Sequence, residues 1–168
     1  ISETFAHGAP SGIDPLTITS QNPVWYKKEE PIDYITPSGE FFFVVADSGR
    51  MADTKTAVQT VTELIKQAPK KVSRKIERIG DITYQAREAL EKSSKQLLGY
   101  LLDEAQNELE AIGVSDSSLN KLIKFAREQG ALGAKLTGGG NGGCIIALAR
   151  NEIHSLQLSE KLKQFGAQ

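Results

Sequence analysis

The stretch that decides the fold runs Ala134-Lys135-Leu136-Thr137, then Gly138-Gly139-Gly140-Asn141-Gly142-Gly143, then Cys144-Ile145-Ile146-Ala147-Leu148-Ala149. Two short apolar runs on either side of a polar, glycine-dense segment predict two strands joined by a turn. Six of the chain's 15 glycines fall between Gly133 and Gly143. Inside regular structure a glycine costs about 0.5–1 kcal/mol relative to alanine. Such density makes sense where main chain must bend sharply or approach another group closely. Gly138-x-Gly140-x-x-Gly143 nominally satisfies the dinucleotide fingerprint, but an apolar strand follows where a helix should begin, and no βαβ unit surrounds it. Cys144-Ile145 stands where a P-loop requires Lys followed by Ser or Thr. Two readings remain: a flexible hairpin loop, or a nest of backbone amides beside a phosphate or polar substrate, with Thr137 adding a hydroxyl.

Working outward, residues 41–46 form a continuous apolar run, which predicts a strand buried on both faces. Val58, Val61, Leu64, Ile65 and Ala68 recur at helical spacing, and Val72, Ile76, Ile79, Thr83, Ala86 and Leu90 mark a second helix beyond Pro69. Leu97, Leu98, Leu101, Leu102, Ala105, Leu109 and Ile112 give a third, closed by Gly113. Residues 115–118 offer N-caps for a fourth, carrying Leu119, Leu122, Ile123 and Ala126 and stopped at Gly130. Ile153, Leu156, Leu162 and Phe165 suggest a last helix. The first 40 residues are rich in turn formers, with room for a short strand at 24–27. Strands at both ends with helices between predict an α+β layer, a sheet with helices on one face.

Composition narrows the function. The chain has 168 residues, 20 Lys and Arg against 21 Asp and Glu, and a formal net charge of −1. That length fits one domain, or one domain with part of another. The charge balance lacks the electrostatic footprint of a nucleic-acid binder. Its one cysteine, Cys144, excludes an internal disulfide and fits a reducing, cytoplasmic compartment. No apolar run approaches a membrane span. The sequence opens at Ile1, its only methionine is Met51, and no signal peptide is visible, so it reads as a processed chain or the tail of a longer protein.

Three segments carry candidate chemistry. His7-Gly8-Ala9-Pro10-Ser11-Gly12-Ile13-Asp14-Pro15 makes a preset turn that holds Asp14 in place, extended by the proline that follows; capping is the ordinary role of such an Asp, and Glu3 is equally plain in isolation. Ala46-Asp47-Ser48-Gly49 closes the apolar strand and leads into a helix near Thr54 or Thr56, setting polar groups at a helix N-terminus. The glycine turn is the third. Lys66, Lys70, Lys71, Arg74, Lys75 and Arg78 form a basic stretch opposed only by Glu77, which reads as a solvated helix face. His154 has no ligand neighbour at metal spacing.

In combination these segments resemble mevalonate kinases of the GHMP small-molecule kinase superfamily. The motifs are His7-Gly8-x-Pro10-Ser11-Gly12-x-Asp14, then Asp47-Ser48-Gly49 with Thr54 downstream, then Lys135-Leu136-Thr137-Gly138-Gly139-Gly140-x-Gly142-Gly143-Cys144, in that order. The resemblance implies an α+β, ferredoxin-like GHMP kinase C-terminal domain over 37–168, preceded at 1–36 by a remnant of the catalytic N-terminal domain. It implies transfer of the ATP γ-phosphate to the 5-hydroxyl of mevalonate in isoprenoid-precursor synthesis, with ATP and Mg2+ as cofactors. Asp14 matches the catalytic aspartate, Glu3 the magnesium ligand, and His7, Ser11, Gly12 and Thr54 the substrate pocket. Thr137, Gly138, Gly139 and Gly140 match the active-site glycine loop. Asn141 departs from the usual glycine or arginine, and Ala6 from a larger aliphatic. The family's phosphate-binding Pro-x-x-x-Gly-Leu-(Gly/Ser)-Ser-Ser segment and its N-terminal lysine have no match, so the chain is expected to be a C-terminal portion, inactive without a partner half. Nucleic-acid and membrane partners are not expected; homo-oligomers are compatible with the family. Alternatives are another GHMP acceptor (phosphomevalonate, homoserine or a sugar) and a non-catalytic α+β binding module.

Overall fold

The computed structural model describes residues 17–168 apart from positions 21, 28 and 29. Its centre is an antiparallel sheet of β3 (Phe42–Asp47), β4 (Gly133–Thr137) and β5 (Cys144–Ala149) in the order β3-β5-β4. The register runs from Phe42 opposite Ala149 to Asp47 opposite Cys144, and from Gly133 opposite Leu148 to Thr137 opposite Cys144. A separate two-stranded ladder pairs β1 (Val24–Trp25) with β2 (Asp33–Tyr34). The helices are α1 (Thr54–Gln67), α2 (Pro69–Glu91), α3 (Lys95–Ala111), α4 (Ser117–Glu128) and α5 (Glu152–Phe165).

Strand β5 is central because its side chains are small or aliphatic on both faces: Ile145, Ala147, Leu148 and Ala149 are fully buried. On one face Val44, Ala46, Ala134, Leu136, Ile145 and Ala147 meet Leu119, Leu122, Ile123 and Ala126 of α4 and Leu158 and Leu162 of α5. Side-chain alternation turns Leu148 to the other face, where it joins Ile82 and Ala89 of α2 and Leu98, Leu101 and Ala105 of α3. Helices therefore lie on both faces of the sheet, not on one. The expectation that β3 is buried on both faces also fails: Val45 is 61% and Phe43 39% exposed. The α2–α3 pair covers only the Leu148 end of that face, and an apolar run cannot report which strand sits at an edge.

Helix α3 closes the edge of β4 by standing in for a missing strand. Asp103 Oδ1 accepts from Ala134 N at 2.9 Å, and Gln106 Oε1 accepts from Leu136 N at 2.9 Å. Arg127 of α4 completes the edge, donating to Ala134 O at 3.0 Å and to Asp103 Oδ1 at 2.6 Å. Such proximity requires Gly99 and Gly133, since a Cβ on Gly133 would lie 1.9 Å from Gly99 O. Gln106 is 2% exposed, and its amide also donates to Ser115 Oγ (3.0 Å) and Asn120 Oδ1 (3.2 Å). At the opposite edge Asp47 exchanges both backbone hydrogen bonds with Gln168, at 3.0 and 3.2 Å. The small β1–β2 ladder rests on α2: Trp25 meets Tyr84 at 4.9 Å, and Arg87 lies over Trp25 while pairing with Asp33 at 2.7 Å.

Replacing Gln106 by Leu strips Leu136 N–H, Ser115 and Asn120 of their buried partner. A loss of about 2–3 kcal/mol in urea-unfolding stability is expected, whereas Asn107→Leu on the exposed side of α3 stays within about 0.5 kcal/mol.

Candidate functional site

Three turns meet at one end of the sheet: residues 48–53 between β3 and α1, residues 112–116 between α3 and α4, and residues 138–143 between β4 and β5. The glycine turn is held by main-chain bonds on both sides. Ser48 N donates to Gly143 O at 2.9 Å, Gly143 N to Arg50 O at 2.7 Å, and Asp53 N to Asn141 O at 3.4 Å. From the other side Asn141 N donates to Val114 O at 3.0 Å. Gly138, Gly140, Gly142 and Gly143 have positive φ, and so does Asn141 at 51°. Asn is one of the few residues that tolerates this left-handed region, so the departure at 141 keeps the turn's conformation.

Close approach explains two glycines more sharply. A Cβ on Gly140 would sit 2.2 Å from Val114 O, and one on Gly139 would sit 2.0 Å from Thr54 Oγ1. The predicted Thr54 and the predicted Thr137–Gly140 segment are thus brought into contact. Thr54 is the first residue of α1, whose N-cap is Asp53: Oδ1 accepts from Thr56 N at 2.9 Å and Oδ2 from Thr56 Oγ1 at 2.6 Å. These bonds from Thr56 hold the Asp53 carboxyl below its ordinary pKa. Helix α4 starts at the same end. Its cap Asp116 accepts from Ser118 N (2.9 Å) and Leu119 N (3.0 Å) through Oδ1, while Arg50 lies 3.3 Å from Oδ2. Burial alone would raise the Asp116 pKa; the Ser118 and Leu119 bonds and the Arg50 charge outweigh it and lower it. Two aspartate-capped helix N-termini and a glycine turn that is exposed at Gly138 converge at this end, an arrangement able to orient a hydroxyl-bearing ligand.

Lys135, two residues before Thr137 on the same face of β4, donates from Nζ to Leu136 O. Burial lowers its pKa from 10.5 to about 8. Burial, then the charge of Asp47 across the ladder, pushes the Cys144 thiol up. His154 is a packing residue: Nδ1 accepts from Arg150 N at 3.1 Å, leaving Nε2–H for Gln129 O at 3.1 Å. The remaining predicted site residues, Glu3, His7, Ser11, Gly12 and Asp14, lie outside the described residues. Sequence reasoning missed Arg50 and Asp116 as a tie between turns, and Gln106 as an edge partner. Gln106 had left a signal, a polar side chain between Ala105 and Leu109 within the apolar positions of α3.

Residues 86–168 match the model of the family described as GHMP kinases C terminal. The chain carries a GHMP kinase C-terminal domain. It is 36% identical to the mevalonate kinase of Pyrococcus abyssi over 165 residues, 95% of this chain and 49% of that protein. The mevalonate kinase of Pyrococcus horikoshii is 36% identical over 154 residues, 88% of this chain and 45% of that protein. Among solved structures, L. major mevalonate kinase in complex with R-mevalonate is similar at a TM-score of 0.90 and 31% identity, covering 99% of this chain and 52% of that one. The chain spans about half the length of the curated relatives it matches. Among the described residues of this GHMP kinase domain, no helix is long and apolar enough to cross a membrane, and no three acidic, His or Cys side chains cluster as a metal site.

Two measurements probe this end of the domain. Gly140→Ala drives a Cβ into Val114 O and is expected to cost about 2–4 kcal/mol in denaturant melts. Gly138→Ala, with positive φ but open space around it, is expected to cost about 1–2 kcal/mol. For Lys135, the folded pKa lies below the unfolded one, so the unfolded chain binds more protons between pH 8 and 10.5. Stability therefore rises with pH across that window, by about 2 kcal/mol; Lys135→Met flattens the rise.

Proposed function

We propose that this chain is part of a mevalonate kinase, which transfers the γ-phosphate of ATP to the 5-hydroxyl of mevalonate. The observation that carries the reading is the seating of the glycine turn on Thr54, with a Cβ at Gly139 only 2.0 Å from the Thr54 hydroxyl. The family resemblance assigns these two segments independently to the active site, and they are 83 or more positions apart in sequence. Likeness to a mevalonate kinase solved with R-mevalonate favours that acceptor. Met51 and Val58, 95% and 60% exposed, flank Thr54 in sequence and supply apolar surface for the rest of a kinase to cover.

Phosphoryl transfer depends on positioning and on neutralising charge over the transferred group. In this reading Asp14 accepts or orients the proton of the 5-hydroxyl, while His7, Ser11, Gly12 and Thr54 hold the substrate. The Thr137–Gly140 segment brings main chain close to the reacting groups. Glu3 is the proposed Mg2+ ligand, and residues 1–36 and 37–168 are proposed as the end of a catalytic domain and the C-terminal domain. The 168-residue sequence contains no match to the family's phosphate-binding segment, so it holds the acceptor's half of the chemistry.

Joined to the nucleotide-binding half of a mevalonate kinase, the chain is expected to phosphorylate mevalonate in preference to phosphomevalonate, homoserine and galactose. Asp14→Asn in that assembly should lower kcat by roughly 10²–10⁴ with little change in KM. The chain by itself should show no turnover. Preference for another acceptor, an unaffected Asp14→Asn variant, or turnover by the isolated chain would each overturn the reading.

A further inference from the structure

The first two turns of α2 concentrate unfavourable local electrostatics. Lys70 with Arg74, and Lys71 with Lys75, are like charges four residues apart, an arrangement that destabilises a helix. They stand at the N-terminal end, where the helix dipole disfavours cations. That end has no acidic residue in its first turn and no side-chain cap at Ala68. The four cations and Glu108 of α3 line a concave groove of about 480 Å³. Among the described residues, the Glu108 carboxylate pairs with Lys75, at 2.8 Å. The neighbouring Arg78 is answered by Glu104 at 3.6 Å. Lys70, Lys71 and Arg74 are exposed and have no ion pair or hydrogen bond among the described residues.

The charge is a local excess in a chain whose net charge is −1. Where local electrostatics are unfavourable and uncompensated, a functional reason is expected. Three free cations around one concavity attract a ligand that presents several negative oxygens within a few ångströms. The groove is the size of a small-molecule site. It is also distinct from the glycine turn, which sits at the other end of the 14-residue α1, roughly 20 Å away at 1.5 Å per residue.

We propose that the groove walled by Lys70, Lys71, Arg74 and Lys75 binds a small polyanion of the diphosphate class. Titration of the full chain with inorganic pyrophosphate, followed by calorimetry and 31P NMR, tests this. Saturable binding is expected, at least tenfold tighter than for orthophosphate or sulfate. A Lys71→Gln/Arg74→Gln double variant should weaken it tenfold or more, and Lys66→Gln, outside the groove, should leave it unchanged. In the absence of anion the double variant should melt at or above the parent's temperature, because it relieves repulsion; a purely structural role for these cations would lower it. Equal weak responses to all three anions, pyrophosphate affinity unchanged in the double variant, or saturable binding of single-stranded DNA alone would overturn the proposal.

Discussion

The contact on which this domain depends is main chain against main chain, where the β4–β5 turn touches the α3–α4 turn. Val114 O accepts from Asn141 N at 3.0 Å and lies 2.2 Å from where a Cβ on Gly140 would be. No side chain mediates the contact, so no rotamer change can absorb an error. The turn cannot drift either, because β5 begins one residue after it and is buried through Ile145, Ala147, Leu148 and Ala149. The packed interior thus fixes the turn from one side and the α3–α4 turn fixes it from the other. Thr54 and the start of α1 then take their position from Gly139, and Arg50 and Asp53 from Gly143 and Asn141. A polar end is made rigid by the apolar strand behind it, as a ligand-orienting site requires.

Much of this was legible in the sequence, for identifiable reasons. Helices α1 to α5 have apolar side chains at helical spacing, and the stops of α3 and α4 at Gly113 and Gly130 are both at positive φ. The glycine turn was legible as a close approach, because glycine at such density has few other uses. What the turn approaches was legible only in part. Thr54, which contributes a hydroxyl to the contact, was singled out by the family resemblance, whereas Val114 contributes a backbone carbonyl and has no sequence signature. The apolar run at 41–46 could not reveal that Val45 faces outward, since exposure there depends on how far the α2–α3 pair reaches over the sheet. Residue Asp33 of β2 escaped notice because two-residue strands carry no periodicity. The roles of Asp103 and Gln106 depend on α3 lying beside β4, a tertiary fact set by Gly99 and Gly133.

A three-stranded sheet has two open edges, and open edges invite pairing with other chains. This chain closes them in different ways. Side chains of α3 satisfy β4, with Arg127 tying Asp103 and Ala134 O into one network. Part of β3 is satisfied by Gln168, three residues beyond the end of α5. Both closures come from neighbouring helices and not from further strands, so sheet and helices form one hydrogen-bonded unit.

Charge follows the same division. Helix α1 obeys its dipole, with Asp53 at its N-terminus beside the glycine turn and Lys66 in its last turn. Helix α4 does likewise, with Asp116 and Arg127. Helix α2 follows directly on α1, separated by Ala68 alone, and starts with cations instead of acids. Helix α3 also starts on a lysine, Lys95, with no side-chain cap, so the start of α2 differs in degree: four cations stand in its first two turns, where the α2–α3 groove opens. Its cations lie at the far end of α1 from the predicted acceptor site. The domain therefore separates two kinds of polar surface by one helix length: aspartate-capped helix starts around a glycine turn, and the cations Lys70, Lys71 and Arg74, which have no partner among the described residues.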